Sequence, residues 1–387
     1  MMHKPLTVLA LCDGISCGQL AMHRSGNPVA CYYASEIDPR VIAVTQTHFP
    51  NTIQLGDMLR WRDWDIDWTA IDLIFSSTPC QSFSTFGIRD FSGLGLMQAA
   101  FDIFEHCTKA RSEAGLPPPA MLGENVIGAA KHIIAEVEAR RLALSVYKIN
   151  SRDFSATRRP RTYYTNLPYP VPSAACPHAF SEVIPRALMD VAPLLPPHMH
   201  IRKTSKMWCF AKTARRADYV TYELRCGGTG ALRHGQIWEA SEPSYCLVSS
   251  SLENAFGHPD GTIRRVTPEI CEMLMGLPSG YTLAAVTRTA RALAIANAWQ
   301  IATVTAFLAP LSNPQPPEQK CQEAIKTRQT TNGTRDTKMR CKQQCGCATA
   351  SQPAHQSTAL PTKSRRQSLT RYATQDSKTL RSTKTSQ

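Results

Sequence analysis

One cysteine lies where a reactive side chain would be well placed. Cys80 follows Pro79, just past a short apolar, β-prone stretch at residues 71–75. Such a stretch predicts a buried strand, and ligands bind at the carboxyl ends of strands in an open α/β sheet. Proline fixes its own φ angle and restricts the residue before it, so a thiol here is aimed and could act as a nucleophile. A buried, inert cysteine is the alternative for any single thiol.

A carboxylate and two guanidinium groups further along the chain are also candidate functional groups. Glu124 ends another short strand pattern that starts at residue 120, and Arg159 and Arg161 flank Pro160. The proline argues against a helix, and alternation in an extended segment places both arginines on one side. Two fixed guanidinium groups suit a carboxylate, a phosphate or the carbonyl of a base. A solvated basic face is the alternative interpretation.

The start of the chain has the pattern of a nucleotide-type binding site. Residues 6–11 predict a first strand, which leads through a Gly-containing turn with Asp13 into a helix. Glu36 ends the next strand about 20 residues later, where a carboxylate can accept both ribose hydroxyls. Asp57 ends a third strand pattern at residues 53–58. The turn is not G-x-G-x-x-G, so a dinucleotide site fits poorly, and plain exposed acids remain possible.

The other segments predict elements that position these groups. Residues 97–111, 128–144 and 288–308 have helical spacing, and residues 145–150 read as a strand. Thr267 and Pro268 are a typical N-cap and first residue of a helix. Residues 89–95 are Gly-rich and predict a mobile lid. Residues 167–261 have weak periodicity, one β-like piece at 219–224 and scattered basic residues near aromatic ones.

Composition limits the class of protein. The chain has 387 residues, 43% of them hydrophobic, and no run of about 18 apolar residues, so no membrane span is expected. The 14 cysteines have no secreted-scaffold spacing and predict reduced thiols in an intracellular protein.

The charge is concentrated in the tail. Of the net charge of +13, residues 312–387 carry +10, from 14 Lys and Arg against 4 Asp and Glu. This polar tail is predicted to be disordered. The tail contains Cys341, Cys345 and Cys347, and a metal site at these cysteines is the weaker alternative. No metal is therefore expected.

Taken in order, these motifs resemble those of the cytosine-5 DNA methyltransferases. The resemblance runs from residue 6 to about residue 310. It rests on Pro-Cys-Gln-Ser-Phe-Ser at 79–84, Asp-Gly-Ile-Ser-Cys-Gly at 13–18, Glu-Asn-Val at 124–126, the two arginines, and the helix-opening residues 264–269. The ending, with Asn-Ala-Trp at 297–299, is similar to the de novo enzymes of animals, and the short middle region is typical of single-chain bacterial or phage enzymes.

The resemblance implies a fold and a division of the chain. The fold is α/β, a Rossmann-like sheet of S-adenosylmethionine-dependent methyltransferases, with a small irregular target-recognition domain and a disordered basic tail. Residues 1–166 and 262–311 would form the catalytic domain, residues 167–261 the target-recognition domain, and residues 312–387 the tail.

The resemblance also implies a reaction. A DNA (cytosine-5-)-methyltransferase adds the thiolate of its cysteine to C6 of a flipped cytosine, so that C5 can take the methyl group. The catalytic residues would be Cys80, Glu124, Arg159 and Arg161. The residues that hold S-adenosylmethionine would be Asp13, Gly14, Ile15, Gly18, Glu36, Ile37, Asp57, Met58, Pro79, Asn297, Ala298 and Trp299.

The implied partner is double-stranded DNA, bound by a monomer in the cytoplasm of a bacterial or phage-infected cell, with a cognate restriction endonuclease as an open question. A tRNA cytosine-5 methyltransferase is one alternative. The other is an inactive, DNA-binding relative, although both Cys80 and Glu124 are present. Three positions depart from the family pattern: Cys12 replaces Phe, Thr157 replaces Gln, and Ala296 replaces Gly.

Overall fold

The structure is a computed structural model that describes most of the first 312 residues. The described residues are 4–80, 83, 93–194, 200–204, 219–225, 232–248 and 254–312, with the backbone alone for strands between 200 and 239. The predictions of a disordered tail and of a mobile lid fall mainly on residues 313–387 and 84–92, which lie outside the described residues.

The centre of the molecule is a seven-stranded sheet with the order β3-β2-β1-β4-β5-β7-β6. Its strands are parallel from β3 to β5, whereas β7 pairs antiparallel with both β5 and β6. Chain order reverses between β1 and β4, so the loops after these two strands leave the sheet side by side. The strands are β1 Leu6–Leu11, β2 Val29–Ser35, β3 Ile53–Gln54, β4 Leu73–Ser76, β5 Ala120–Val126, β6 Ser145–Asn150 and β7 Pro160–Thr165.

Helices cover both faces of this sheet. In β1, Val8 and Ala10 face one apolar cluster while Leu9 and Leu11 face another, as the two-residue period of a strand requires. Both faces are therefore buried, which explains why the predicted strands are apolar throughout. The described helices are α1 Cys17–Arg24, α2 Pro39–His48, α3 Leu94–Glu113, α4 Ala130–Ala139, α5 Phe180–Val183, α6 Arg186–Val191, α7 Pro268–Leu274, α8 Arg288–Asn297 and α9 Ile301–Ser312.

Two elements differ from the sequence-based prediction. The third strand is only two residues long, because the chain turns at Gly56 with φ +74°. The single helix predicted over 288–308 is two helices. Ala298 is extended, and the Gln300 side chain accepts the backbone N–H of Thr303 at 3.0 Å, which caps a new helix. The prediction at Thr267 is confirmed, since its side chain caps α7.

A second sheet of five strands has the order β12-β11-β10-β9-β8. The pairs are antiparallel except for β10 with β11. Of the strands between residues 167 and 261, the sequence indicated only β9, because the pattern elsewhere is weak. The strands are β8 His200–Thr204, β9 Tyr219–Arg225, β10 Leu232–Glu239, β11 Ala255–Gly257 and β12 Ile263–Arg265.

α9, the last of the described helices, packs against α1, the first. The Asn27 side chain just after α1 donates a hydrogen bond to the Leu308 carbonyl at 3.1 Å. Within the described residues, no single helix has the length and apolar character to cross a membrane. By length and composition only, α8 and α9 would pass as a pair, bent by 43°.

Candidate active site

The candidate site lies where the chain order of the main sheet reverses. The loop at residues 12–16, here the Asp13 loop, follows β1, and the loop at residues 77–80, the Cys80 loop, follows β4. The two loops are tied together, since the Ser77 hydroxyl donates to the Cys12 carbonyl at 2.7 Å. The sheet thus brings the loop that carries the predicted nucleophile into contact with the predicted cofactor loop.

The Asp13 loop has an unusual backbone. Cys12 and Ser16 have φ angles of 54° and 58°, in the left-handed region that few residues other than glycine adopt, and Gly14 between them has φ 61°. Non-glycine residues in this region cost free energy and occur mostly where the surrounding structure needs them. The loop therefore has a defined conformation, which aims its backbone and Asp13.

Asp13 is a buried carboxylate with an unused acceptor. It is 9% exposed, and its Oδ1 accepts the Tyr32 hydroxyl at 2.8 Å. Its Oδ2 is buried and has no hydrogen-bond partner among the described residues. Burial raises the pKa of Asp13 to about 7, although the hydrogen bond from Tyr32 opposes this shift. A buried acceptor without a donor is costly, so this atom fits a bound donor or cation.

The other two acids hold backbone groups at the ends of their strands. Glu36 accepts the backbone N–H of Gly14 at 2.9 Å and those of Ile37 and Asp38 at 2.7 and 3.0 Å. Asp57 is exposed and accepts the N–H of Leu59 at 2.9 Å. The carboxyl ends of β1, β2 and β3 thus present three carboxylates along one edge of the sheet.

The remaining predicted cofactor residues divide into exposed and packed ones. Ile37 is 72% exposed beside Glu36, and Pro79 is also exposed. Met58 is buried against the Cys12 sulfur at 3.2 Å, and Ile15 is buried with its carbonyl bound by Tyr281.

Gly18 has a packing role in this structure. A Cβ atom there would lie 2.6 Å from the Phe75 ring, so only glycine lets α1 approach β4 so closely.

The turn between α8 and α9, residues 296–299, approaches the same place and is called the Trp299 turn below. Asn297 is exposed, whereas Ala298 and Trp299 are buried. The Trp299 ring meets the Phe75 ring edge-on, with centroids 5.5 Å apart. Burial raises the pKa of the Cys17 thiol to about 12, and a hydrogen bond with the Trp299 backbone opposes this rise. The turn therefore borders both β4 and the start of α1.

Cys80 is half-buried on a loop fixed from the neighbouring strand. Asn125, in β5, donates from Nδ2 to the Thr78 carbonyl at 3.1 Å, and the Cys80 carbonyl accepts the N–H of Phe83 at 3.0 Å. Burial raises the pKa of the Cys80 thiol, and the Glu124 carboxylate raises it further. The guanidinium groups of Arg161 and Arg159 act in the opposite direction. The thiol is therefore protonated in this arrangement.

Glu124 and Arg161 form an ion pair next to Cys80. Arg161 Nε lies 2.8 Å from Glu124 Oε1, and both side chains are about nine-tenths buried. Antiparallel pairing of β5 with β7 sets this register. Burial lowers the pKa of Arg161, but the nearby Cys246, Glu124 and Cys80 raise it by more, so the net shift is upward.

Arg159 has different partners from Arg161. The sequence predicted a pair of arginines on one side of an extended segment. In the structure the Arg159 guanidinium is 2% exposed and donates to three backbone carbonyls, which belong to Leu247, Ala296 and Ala298. Among the described residues, the hydrogen bonds and ion pairs of the two guanidinium groups have no partner in common.

Sequence reasoning missed Cys246. Its sulfur lies 3.8 Å from Arg161 Nη1, although the two residues are 85 positions apart. Cys246 follows β10 and comes from the middle region, and no motif surrounds it. The departure at Thr157 has a structural role, because its hydroxyl donates to the Leu274 carbonyl at 2.9 Å.

The largely parallel sheet with its antiparallel β7 strand, helices on both faces and polar edge at the chain reversal has the Rossmann-like fold of methyltransferases. The comparisons agree. Residues 6–155 match the family model of the C-5 cytosine-specific DNA methylases. Over these residues, the resemblance seen in the motifs is confirmed. Methyltransferases of this family use S-adenosylmethionine.

Three solved structures share the fold, each at low identity. They are Entamoeba histolytica EhMeth (TM-score 0.56, 12% identity, 80% of this chain and 98% of that one), Schizosaccharomyces pombe Dnmt2 (0.54, 14%, 80% and 99%), and a protein described as a DNA modification methyltransferase encoded within an Escherichia coli prophage (0.53, 18%, 80% and 99%).

A curated relative is a DNA N-6-adenine-methyltransferase of Escherichia phage P1, 29% identical over 130 residues. The match covers 32% of this chain and 17% of the relative, so it spans about a sixth of that protein's length.

Proposed function

We propose that the chain is an S-adenosylmethionine-dependent DNA (cytosine-5-)-methyltransferase. The observation that carries this proposal is the buried Glu124–Arg161 ion pair, whose two charges act on the Cys80 thiol, together with the hydrogen bond that ties the Cys80 loop to the Asp13 loop. A nucleophilic thiol, a group able to carry a proton, and a cation are the side chains that addition to a pyrimidine requires.

The residues present fit the cofactor. S-adenosylmethionine carries a sulfonium and an ammonium group, and the Asp13 loop offers a buried carboxylate oxygen without a donor. Asp13 would take the ammonium group, Glu36 the ribose hydroxyls and Asp57 the adenine amino group, with Ile37 and Trp299 as apolar walls. When bound, the cofactor supplies an electrophilic methyl group.

The protein groups would act in a fixed order. Cys80 gives its proton to water and forms a bond to C6 of the cytosine, and the electron pair of the C5–C6 double bond moves toward N3. Glu124 delivers a proton to N3. To do so it must first bind a proton, and Arg161 would move from the Glu124 Oε1 atom to the base carbonyl. C5 would then take the methyl group of the cofactor, which leaves as S-adenosylhomocysteine. C5 gives its proton to water, the bond between Cys80 and C6 breaks to return the Cys80 thiolate, and N3 returns its proton to Glu124.

The division of the chain is part of the proposal. Residues 1–166 and 262–311 would carry the chemistry, and residues 167–261, with four strands of the second sheet, would contact DNA around the flipped base. Residues 312–387 would bind phosphates through their net charge of +10.

The setting is also proposed. The enzyme would act as a monomer in the cytoplasm of a bacterial or phage-infected cell, with or without a restriction endonuclease. The named relatives from a phage and a prophage support this context.

Nucleoside mass spectrometry tests the activity. The purified chain and a Cys80→Ser variant are each incubated with S-adenosylmethionine and unmethylated plasmid DNA, and the digest is analysed for 5-methylcytosine. We expect 5-methylcytosine only with Cys80 intact. A parallel reaction with tRNA covers the alternative substrate, and product in tRNA alone would replace DNA in the proposal. No product in either, from a chain that binds the cofactor, would favour an inactive DNA-binding relative.

A further inference from the structure

Arg159 joins segments that are far apart in the sequence. Its Nη2 donates to the carbonyls of Ala296 and Ala298 at 2.9 and 2.8 Å, and its Nη1 donates to the Leu247 carbonyl at 3.3 Å. Its own backbone N–H donates to the Asn150 side chain at 2.9 Å, which fixes the start of β7. Both terminal nitrogens are thus engaged by peptide groups within the protein.

Two of the three carbonyls that Arg159 holds, those of Ala296 and Ala298, belong to the Trp299 turn, where the Ala298 N–H still bonds the Ile295 carbonyl at 3.2 Å. Ala298 is extended, so the turn interrupts the helical ladder between α8 and α9. Carbonyl groups at the end of a helix lack partners within the helix, and a buried guanidinium group satisfies them. Removing Arg159 would leave these buried acceptors unpaired and the turn without its anchor.

The turn carries Trp299 to the edge of the candidate cofactor site. Trp299 packs edge-on against Phe75 in β4, and its backbone lies next to the Cys17 thiol at the start of α1. Phe75 lies just before the Cys80 loop, and Cys17 lies just after the Asp13 loop. A shift of the turn would therefore change the wall shared by both loops.

We infer that Arg159 is a positioning residue, which acts on cofactor binding by holding the Trp299 turn and does not touch the target base. The inference rests on the proposed function, because it takes the turn to border S-adenosylmethionine. Arg161, paired with Glu124, is the guanidinium group left for the base. Since Leu247 belongs to the proposed DNA-contacting region, Arg159 also links that region to the cofactor side, which predicts coupling between DNA and cofactor binding.

The chain contains a matched control. Arg111 is another buried arginine that donates to three backbone carbonyls, those of Thr69, Ile71 and Pro117 at 2.9, 2.7 and 2.6 Å. Ile71 and Pro117 precede β4 and β5, so Arg111 lies at the opposite edge of the sheet from the Cys80 loop. Arg111→Lys reproduces the loss of a buried guanidinium group without changing the candidate site.

Two measurements on full-length protein test the inference. Hydrogen–deuterium exchange of the cofactor-free chain reports on residues 295–300, and calorimetry with S-adenosylhomocysteine, without DNA, reports on cofactor affinity. We expect Arg159→Lys to speed exchange in 295–300 and to weaken binding about fivefold to tenfold. We expect Arg111→Lys to lower the melting temperature and leave both readouts at their wild-type values. Arg161→Lys should keep the affinity and lower turnover.

Wild-type exchange at 295–300 with Arg159→Lys, or an unchanged affinity for S-adenosylhomocysteine, would overturn the inference. If the wild-type chain binds no S-adenosylhomocysteine, the proposed function fails, and the exchange result alone decides whether Arg159 holds the turn. If Arg159→Lys does not fold, the wild-type chain still gives an answer. S-adenosylhomocysteine must slow exchange at 295–300, and the absence of this protection counts against the inference.

Discussion

The carboxylates in the two halves of the candidate site have different kinds of partner. In the half around β1 to β3, Asp13, Glu36 and Asp57 accept hydrogen bonds from neutral N–H and O–H groups. In the half around β5 and β7, Glu124 lies against the Arg161 guanidinium at 2.8 Å. Among the described residues, no cation pairs with the carboxylates of the first half, and such an edge suits a cationic ligand. A carboxylate paired with an arginine suits a neutral base that gains negative charge during reaction.

Replacing Glu124 should have the largest effect on this comparison. Glu124→Gln keeps the shape of the side chain but removes its ability to carry a proton to N3. We expect kcat to fall by about 10²- to 10⁴-fold, as is usual when a positioned acid is removed. Single-turnover methylation of DNA measures this, and the affinity for S-adenosylhomocysteine should stay at the wild-type value. A parallel loss of cofactor affinity would show that the two halves are not separate.

Replacing Asp13 should have a smaller effect, confined to the other half. Asp13→Asn removes the negative charge but keeps an acceptor for Tyr32. Since hydrogen bonds to charged groups contribute about 1.5–3 kcal/mol, we expect S-adenosylhomocysteine to bind about 10- to 100-fold more weakly. Calorimetry at pH 8 measures the change. An affinity equal to that of the wild type would remove Asp13 from the cofactor site.

The pH dependence of Asp13 sharpens the same comparison. Its pKa is raised to about 7 in the folded chain, against about 4 in an unfolded one. The folded state therefore binds more protons between these values, and its contribution to stability falls as the pH rises from about 4 to 7. Cofactor-free Asp13→Asn should gain melting temperature relative to the wild type between pH 5 and pH 8. A cationic ligand favours the ionised form, so wild-type cofactor binding should tighten over the same range.

The smallest effect is expected from the tail, which belongs to neither half. Residues 313–387 hold the charge excess of +10 that the rest of the chain lacks. Truncation after Ser312 should keep methylation at low salt and flatten the salt dependence of DNA binding, by about 0.9 in log–log slope for each phosphate that the tail neutralises. Fluorescence anisotropy at several salt concentrations measures the slope. An unchanged slope would assign the phosphate binding to the described residues.

The sequence predicted β1, β4 and β5 of the main sheet well because these strands are almost wholly buried and mostly apolar. Cys80, Glu124 and Asp13 were found in the same way, since each ends a strand pattern and each lies in a motif of local residues. The different partners of Arg159 and Arg161 could not be predicted. Alternation tells which side of a strand a residue occupies, but the acceptors at Leu247 and Ala298 come from segments that only the tertiary fold brings near.

The break between α8 and α9 was missed for a related reason. Residues 288–308 have continuous helical spacing, and the interruption depends on the Gln300 cap and on carbonyls bound by a distant arginine. Most of the second sheet was missed because its strands lack a clear two-residue alternation. Cys246 was missed because nothing near it in the chain marks it.

The packing of α9 on α1 has a consequence for synthesis on the ribosome. The Asn27 side chain finds its acceptor at Leu308, 281 residues later. At a translation rate of about 5–20 residues per second, roughly 15–60 s pass between the synthesis of α1 and that of α9, the helix that packs on it. During that time the apolar face of α1 is open to other chains and to chaperones. Vectorial synthesis therefore leaves the first βα unit unprotected for longest, and it is there that nascent-chain aggregation should begin.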